Sequence, residues 1–305
     1  MSIAHGIGAA SGQATGPIDP DAQAKGGKRS RRIAYLLLLP GMLWLLVFFV
    51  IPIVQLFTVS LQSDYPGYPG YYYRDVNFGN YLAAFQEFWP HIVRSLLFGA
   101  LATFFAFCLA YPLAYAMAFK AGKWRGVMLI CVIAPFFTSF ILRTIAWRQI
   151  LADEGPVASV LSALHLLPGG HITETWVAVV AGLTYNFLPF MVLPIYAVVA
   201  QLDSRYAEAA ATLGASPLVV FFRVILPLTL PGIVAGVALV FSLSVSAYVV
   251  PTLLIGEKYP TLATTIAKAY LLAREPGFGA AAGVVLLAIA IIVVALSALL
   301  SREPK

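Results

Sequence analysis

Residues 201–232 read QLDSRYAEAAATLGASPLVVFFRVILPLTLPG and lie between two long apolar blocks. Helix connections in a compact bundle are usually about 2–8 residues, so this segment needs a reason of its own. Tyr206 to Leu213 is alanine-rich, which favours helix, and Glu208 suits the positive end of that helix's dipole. Gly214 can take the left-handed conformation that closes a helix. Ser216 then offers an N-cap and Pro217 a first-turn residue, which predicts a second helix running to about Leu226. Pro227 and Pro231 end that helix before the next apolar block. Two short helices joined at a glycine, with a small-residue face and with Phe221 and Phe222 to fill pockets, suit docking onto a partner. They equally suit an interfacial element lying on lipid headgroups. Residue physics leaves both open.

Outward from this segment the chain is membrane-like. Of its 305 residues 61% are hydrophobic and 10% are charged, against about 25% charged in soluble domains. A water-soluble enzyme is excluded. Apolar blocks fall at 33–58, 95–119, 126–148, 176–200, 233–255 and 279–300. Each can cross a hydrocarbon core of about 30 Å at about 1.5 Å per residue. The expected fold is all-α, with six transmembrane helices within 33–305. Residues 1–32 are rich in Gly, Ala, Ser, Gln and Pro and end in Lys25, Lys28, Arg29, Arg31 and Arg32; they predict a disordered basic tail.

The positive-inside rule places that tail on the cytoplasmic side. With it go the loop bearing Lys120, Lys123 and Arg125, the 201–232 loop bearing Arg205 and Arg223, and the end bearing Arg302 and Lys305. Both termini are expected to be cytoplasmic. The net charge of +6 is then mostly a topology signal: membrane lipid is the expected surrounding, and no nucleic-acid partner is implied. Cys108 and Cys131 supply no disulfide framework or metal spacing. His5, His91, His165 and His171 are scattered, and no G-x-x-x-x-G-K-[ST] phosphate loop occurs. No catalytic residue, metal or cofactor is expected in this chain, and ATP hydrolysis is not expected of it.

Glu208-Ala209-Ala210, three residues, Gly214, nine residues and then Val224, Ile225, Leu226-Pro227 resemble the EAA loop of binding-protein-dependent ABC importer permeases. Val224 stands where that family usually has Ile. The resemblance implies the type I (MetI-like) permease fold in a bacterial cytoplasmic (inner) membrane. It also implies that the loop inserts into a groove on an ATPase subunit and transmits nucleotide-driven closure. Glu208, Ala209, Ala210, Gly214, Ser216 and Pro217 would carry that coupling. The implied partners are ABC ATPase subunits, which bind ATP and Mg, a second permease subunit paralogous to this one, and an extracytoplasmic solute-binding protein. APFFTSFILRTIAW (134–147), NFLPFMVLPIY (186–196) and LPLTLPGIVAG (226–236) resemble segments of the spermidine/putrescine-type permeases. That implies a polyamine substrate, with another small organic solute as the alternative.

A polar path through lipid needs hydrogen-bonding groups at mid-depth, where they are otherwise costly. Thr138 and Ser139 in the third block, Asn186 in the fourth, and Ser242 and Ser246 in the fifth fall at comparable depths, with Trp147, Tyr185 and Tyr248 close by to present cation-attracting rings. Ser and Thr also serve as interhelical glue. Pro189 and Pro194 are expected to break the helix beside Asn186, as happens where a helix lines a cavity. Arg143 is expected to snorkel to the outer interface, with a gating or substrate-facing role as the alternative. Asp153, Glu154 and Glu174 either attract a cation at the outer mouth or belong to ordinary solvated loops. The stretch YPGYPGYYYRD (65–75) belongs either to the interfacial aromatic belt or to a contact with the binding protein. No block carries Asp or Glu in its core, which weighs against a self-sufficient ion-coupled carrier and leaves a cationic substrate without its own acid here.

Overall fold

The computed structural model describes residues 36–300, apart from 64, 66, 67, 69, 70, 72, 74, 164–171, 204, 274 and 275. The tail expected over 1–32 lies outside them. No strand occurs among the described residues. The helices are α1 (Leu36–Ser60), α2 (Gly79–Lys120) and α3 (Gly122–Phe137). Next come α4 (Phe140–Leu151), α5 (Pro156–Ala163), α6 (Trp176–Val199) and α7 (Arg205–Thr212). Then follow α8 (Pro217–Leu228), α9 (Leu230–Val245), α10 (Val249–Leu254), α11 (Leu262–Lys268) and α12 (Pro276–Leu300). By contact the chain divides into two units, Met1–Gln55 and Leu56–Lys305. The described part of the first is almost entirely apolar helix.

In the larger unit α2, α6 and α9 pack on one another, and α12 lies against α2 and α9. Small residues make the approach possible. Ala102, Ala106, Ala110 and Ala114 recur every fourth residue on α2, each 0% exposed. A β-carbon on Gly232 would fall 2.8 Å from the Pro194 carbonyl oxygen, and one on Gly236 would fall 2.8 Å from Met191 Sδ. Lipid offers helices no hydrophobic drive to associate, so close backbone contact of this kind holds a membrane bundle together.

Four helices are long and apolar enough to cross a membrane alone, and the number reaches six only when two bent pairs each count as one span. α2 starts well before the expected edge at residue 95. Ala84, Phe88 and Ile92 continue its buried stripe against Leu262, Ala281 and Ala282, and its 42 residues reach about 63 Å, beyond the hydrocarbon. The expected third span is not one helix. Pro135 sits in a tight 3-10 turn, Thr138 is extended, and α3 and α4 meet at 99°. The fifth is also interrupted: α9 stops at Val245, and α10 begins only at Val249. Conversely α6 runs unbroken through Pro189 and Pro194, against the expected break. Each proline removes one N–H from the ladder, a loss that a well-packed membrane helix tolerates.

Between α1 and α2 the chain is pinned by Ser63, whose amide and hydroxyl both donate to the Asp75 carboxylate (2.8 and 2.7 Å). Asn80 Nδ2 donates to the carbonyls of Ser60 and Gln62. Tyr65 and Tyr73 stack with centroids 4.6 Å apart, and Tyr68 and Tyr71 are exposed. The two donors from Ser63 hold the Asp75 carboxyl below the usual aspartate range. A lowered folded-state value stabilises the clasp above the ordinary aspartate pKa of about 3.9 and releases it as pH falls through the folded value. Hydrogen exchange of the Ser63 amide should therefore accelerate only on acidification below about pH 4; exchange that is fast and flat from neutral pH downward would show that the clasp does not form.

Candidate functional site

The segment 201–232 folds as two helices joined by a tight turn. Gly214 has φ +81°, its amide donates to Ala211 O, and the Ala215 amide donates to Ala210 O. This pair of bonds is a Schellman motif with glycine in the left-handed position. Ser216 is extended (φ −67°, ψ 155°) and precedes Pro217 at the first turn of α8. It occupies the cap position without a side-chain hydrogen bond. Glu208, Ala209, Gly214, Ser216 and Pro217 are exposed, and Ala210 is half-buried.

The tip is apolar: Leu213, Leu218 and Phe222 are 88%, 71% and 60% exposed. The two phenylalanines expected to act together point apart. Phe222 faces out, whereas Phe221 packs edge-on against Tyr111 and Tyr115 of α2. α8 winds through a π-turn at Phe221–Ile225 and meets α9 at 67°. The bend falls at Thr229, 0% exposed, whose hydroxyl donates to Leu226 O and shares a 3.0 Å hydrogen bond with the Tyr111 hydroxyl. Movement of α7–α8 would thus reach α2 and α9 through a packed, hydrogen-bonded joint.

The second region lies where α4, α6 and α9 approach. Trp147 and Tyr185 stack in parallel, centroids 5.1 Å apart and 3° between planes. Both border an apolar groove of about 450 Å³ that also takes in Phe105, Leu109 and Trp176. Asn186 is 1% exposed, and its Nδ2 donates to Gly182 O (2.9 Å). A β-carbon on Gly182 would sit 3.2 Å from Trp147 Cδ1, so Trp147 and Asn186 flank one glycine. Around it are several buried polar atoms with no partner: Trp147 Nε1, Asn186 Oδ1, Ser242 Oγ, Ser244 Oγ, and Nε and Nη1 of Arg143. The register of Gly232 and Gly236 on α6, continued along α9, sets Ser242 and Ser244 level with Leu183 to Asn186. Buried unpaired polar groups are few in natural proteins and call for an explanation.

The other expected pathway residues lie apart from this interior layer. Thr138 and Ser139 are exposed at the α3–α4 elbow, and Thr138 Oγ1 donates to Pro135 O. Ser246 is exposed and donates to Ser242 O, and Tyr248 is 43% exposed before α10. Arg143 does not snorkel outward. Its guanidinium folds back over Phe140, 5.8 Å from the ring centroid, because helix side chains lean toward the N-terminus and α4 begins at the elbow. Asp153 and Glu174 line a cavity of about 390 Å³ together with Glu257, Arg148 and Lys258, a lining without a single sign of charge.

Against known proteins, the family described as binding-protein-dependent transport system inner membrane component matches residues 23–304. The chain belongs to this family. The permease is 34% identical over 247 residues to the spermidine/putrescine transport system permease protein PotB of Haemophilus influenzae, covering 79% of this chain and 84% of that protein. It is 36% identical over 196 residues to PotB of Escherichia coli, covering 64% and 71% of the two chains. Among solved structures, a bacterial ABC transporter involved in the import of the acidic polysaccharide alginate superposes with TM-score 0.71 at 19% identity, covering 92% of this chain and 98% of that one. The MetNI methionine ABC transporter superposes with TM-score 0.53 at 16% identity, covering 70% and 93%. The permease therefore has the fold of ABC importer transmembrane subunits, and its relatives are inner-membrane transport permeases, not enzymes.

Reading the permease from sequence missed Ser244 and set Arg143 aside. The serines alternate as Ser242, Ser244 and Ser246. At about 100° per residue, Ser244 points nearly opposite the other two, into the helix packing. The spacing carried that signal, but which face was inward did not follow from it.

Proposed function

We propose that this permease carries a polyamine of the putrescine/spermidine type across the cytoplasmic membrane of a bacterium, as one transmembrane half of an ATP-driven importer. In this reading both termini are cytoplasmic and residues 33–305 form the permease domain. A separate ATPase subunit binds ATP and Mg and hydrolyses the nucleotide. A solute-binding protein delivers the polyamine from outside, and a paralogous permease forms the other half. Glu208, Ala209, Ala210, Gly214, Ser216 and Pro217 meet the ATPase, with Leu213, Leu218 and Phe222 filling its groove. Closure of the ATPases drives α7–α8, and the Phe221–Tyr111–Thr229 joint passes the motion to α2 and α9. The solute passes along the elbow and the polar layer, meeting Thr138, Ser139, Asn186, Ser242 and Ser246. Trp147, Tyr185 and Tyr248 offer ring faces to its ammonium groups.

The observation that carries this reading is the glycine-closed helix pair with an apolar, exposed tip. It is built to enter a protein groove, and in water it would be an unfavourable surface. Similarity to PotB over most of the chain supports the polyamine. The test is uptake of labelled putrescine or spermidine into proteoliposomes holding the purified importer. Uptake should require ATP, the ATPase and the binding protein together. Uptake by this chain alone, driven by an ion gradient, would replace the reading with a secondary carrier. ATP-driven uptake of a different solute by the same complex would correct the substrate only.

A further inference from the structure

We infer that Arg143 pairs with a carboxylate supplied by the second permease subunit, and that this subunit is therefore a different polypeptide from this chain. The inference rests on the reading that two permease halves work together. Arg143 keeps its charge at any physiological pH. Two of its guanidinium nitrogens, Nε and Nη1, are buried without a hydrogen-bond partner. Its contact within the chain is the Phe140 ring, at 5.8 Å. A charge held this way in a membrane segment is costly unless something outside the chain completes it.

This chain has nothing to offer. No Asp or Glu falls in the core of any apolar block. The nearest acids along the helix direction, Asp153 and Glu154, follow α4, whereas the guanidinium points back toward its start. Among the described residues the ion pairs are Arg205–Asp203 and Lys268–Glu257, both remote in sequence. The side facing the guanidinium is open, with Phe137 88% and Leu142 65% exposed. The backbone there is also irregular, with a 99° bend at Thr138–Ser139. Irregular backbone at membrane depth is stable only where protein or a water-filled cavity covers it. A covering protein is thus called for on structural grounds, and the bare cation fixes its chemistry: an Asp or Glu, which guanidinium binds in bidentate fashion. A second copy of this chain would bring another Arg143 and no acid.

The test uses the whole importer purified from membranes through a tag on the ATPase. Arg143→Glu should lower the amount of second permease retained on the order of a hundredfold, as expected when one member of a buried ion pair is reversed. Arg143→Lys should retain most of it. Selection for restored uptake in the Arg143→Glu strain should return Asp or Glu changes to Lys or Arg in a span of the second permease. A photo-reactive residue introduced at Phe137 should cross-link to that same subunit, independently of any folding defect at Arg143. Cross-linking to lipid or to another copy of this chain overturns the pairing. So does an Arg143→Met complex that stays whole but loses uptake, since the guanidinium then serves the solute. Wild-type complexes with ATPase and only copies of this chain overturn the pairing yet leave the importer standing. Wild-type chain with no ATPase overturns both.

Discussion

Gly214→Arg should reduce ATP-driven uptake at least about a hundredfold while the permease still inserts and keeps its helical content. No atom lies within 4 Å of where a β-carbon would stand, and φ is +81°. The substitution therefore clashes with nothing in the chain, and its cost is conformational, about 1–2 kcal/mol for a side chain held left-handed. That is small against a membrane bundle held by α2, α6 and α9. It is large for the turn, whose Schellman bonds through Ala210 and Ala211 set the angle between α7 and α8. Arginine adds a second effect, because a cation beside the exposed Leu213 must be desolvated on entering a partner's groove. A loss of about 3 kcal/mol in docking corresponds to the stated factor. Co-purification of the ATPase should fall in parallel, and Gly214→Asn, which tolerates the left-handed region better, should retain much more activity than Gly214→Val. If Gly214→Arg bound the ATPase and transported normally, the helix pair would be an interfacial element and the coupling assignment would fail.

Asn186→Leu should lower uptake about tenfold or more without changing assembly. The amide is 1% exposed, spends its Nδ2 on Gly182 O and leaves Oδ1 buried and unpaired. Leucine has a similar volume, and removing an unsatisfied buried acceptor is close to neutral for stability. A fall in uptake would then reflect a lost hydrogen-bonding group on the solute's route, since the fold has no other use for that oxygen. Thermal stability of the purified complex is the control. Unchanged uptake would make Asn186 a packing residue and move the route to the exposed elbow at Thr138 and Ser139.

Much of the coupling element was legible in the sequence because its determinants are local. A glycine after an alanine-rich run and a Ser-Pro two residues on define a helix stop and a helix start with no help from elsewhere. The polar layer was only partly legible. Asn186, Trp147 and Tyr185 are neighbours in space, as their positions suggested, but Arg143 was misjudged. Its distance from the membrane edge suggested snorkelling, whereas the start of α4 at the elbow sends its side chain the other way.

Prolines show where the line falls. By itself the sequence determined the all-helical class, the apolar blocks and the glycine-closed turn, because composition and local backbone preference act within a few residues. It could not say which prolines break a helix. Pro90, Pro112, Pro189 and Pro194 sit inside continuous helices, whereas Pro135 opens a 99° elbow and Pro227 and Pro231 flank a 67° bend. Each removes the same backbone donor. What differs is whether neighbouring helices press the segment straight, as α2 and α9 do for α6. Only the tertiary packing supplies that energy, and it likewise decides which of two adjacent phenylalanines faces in and which serine is buried.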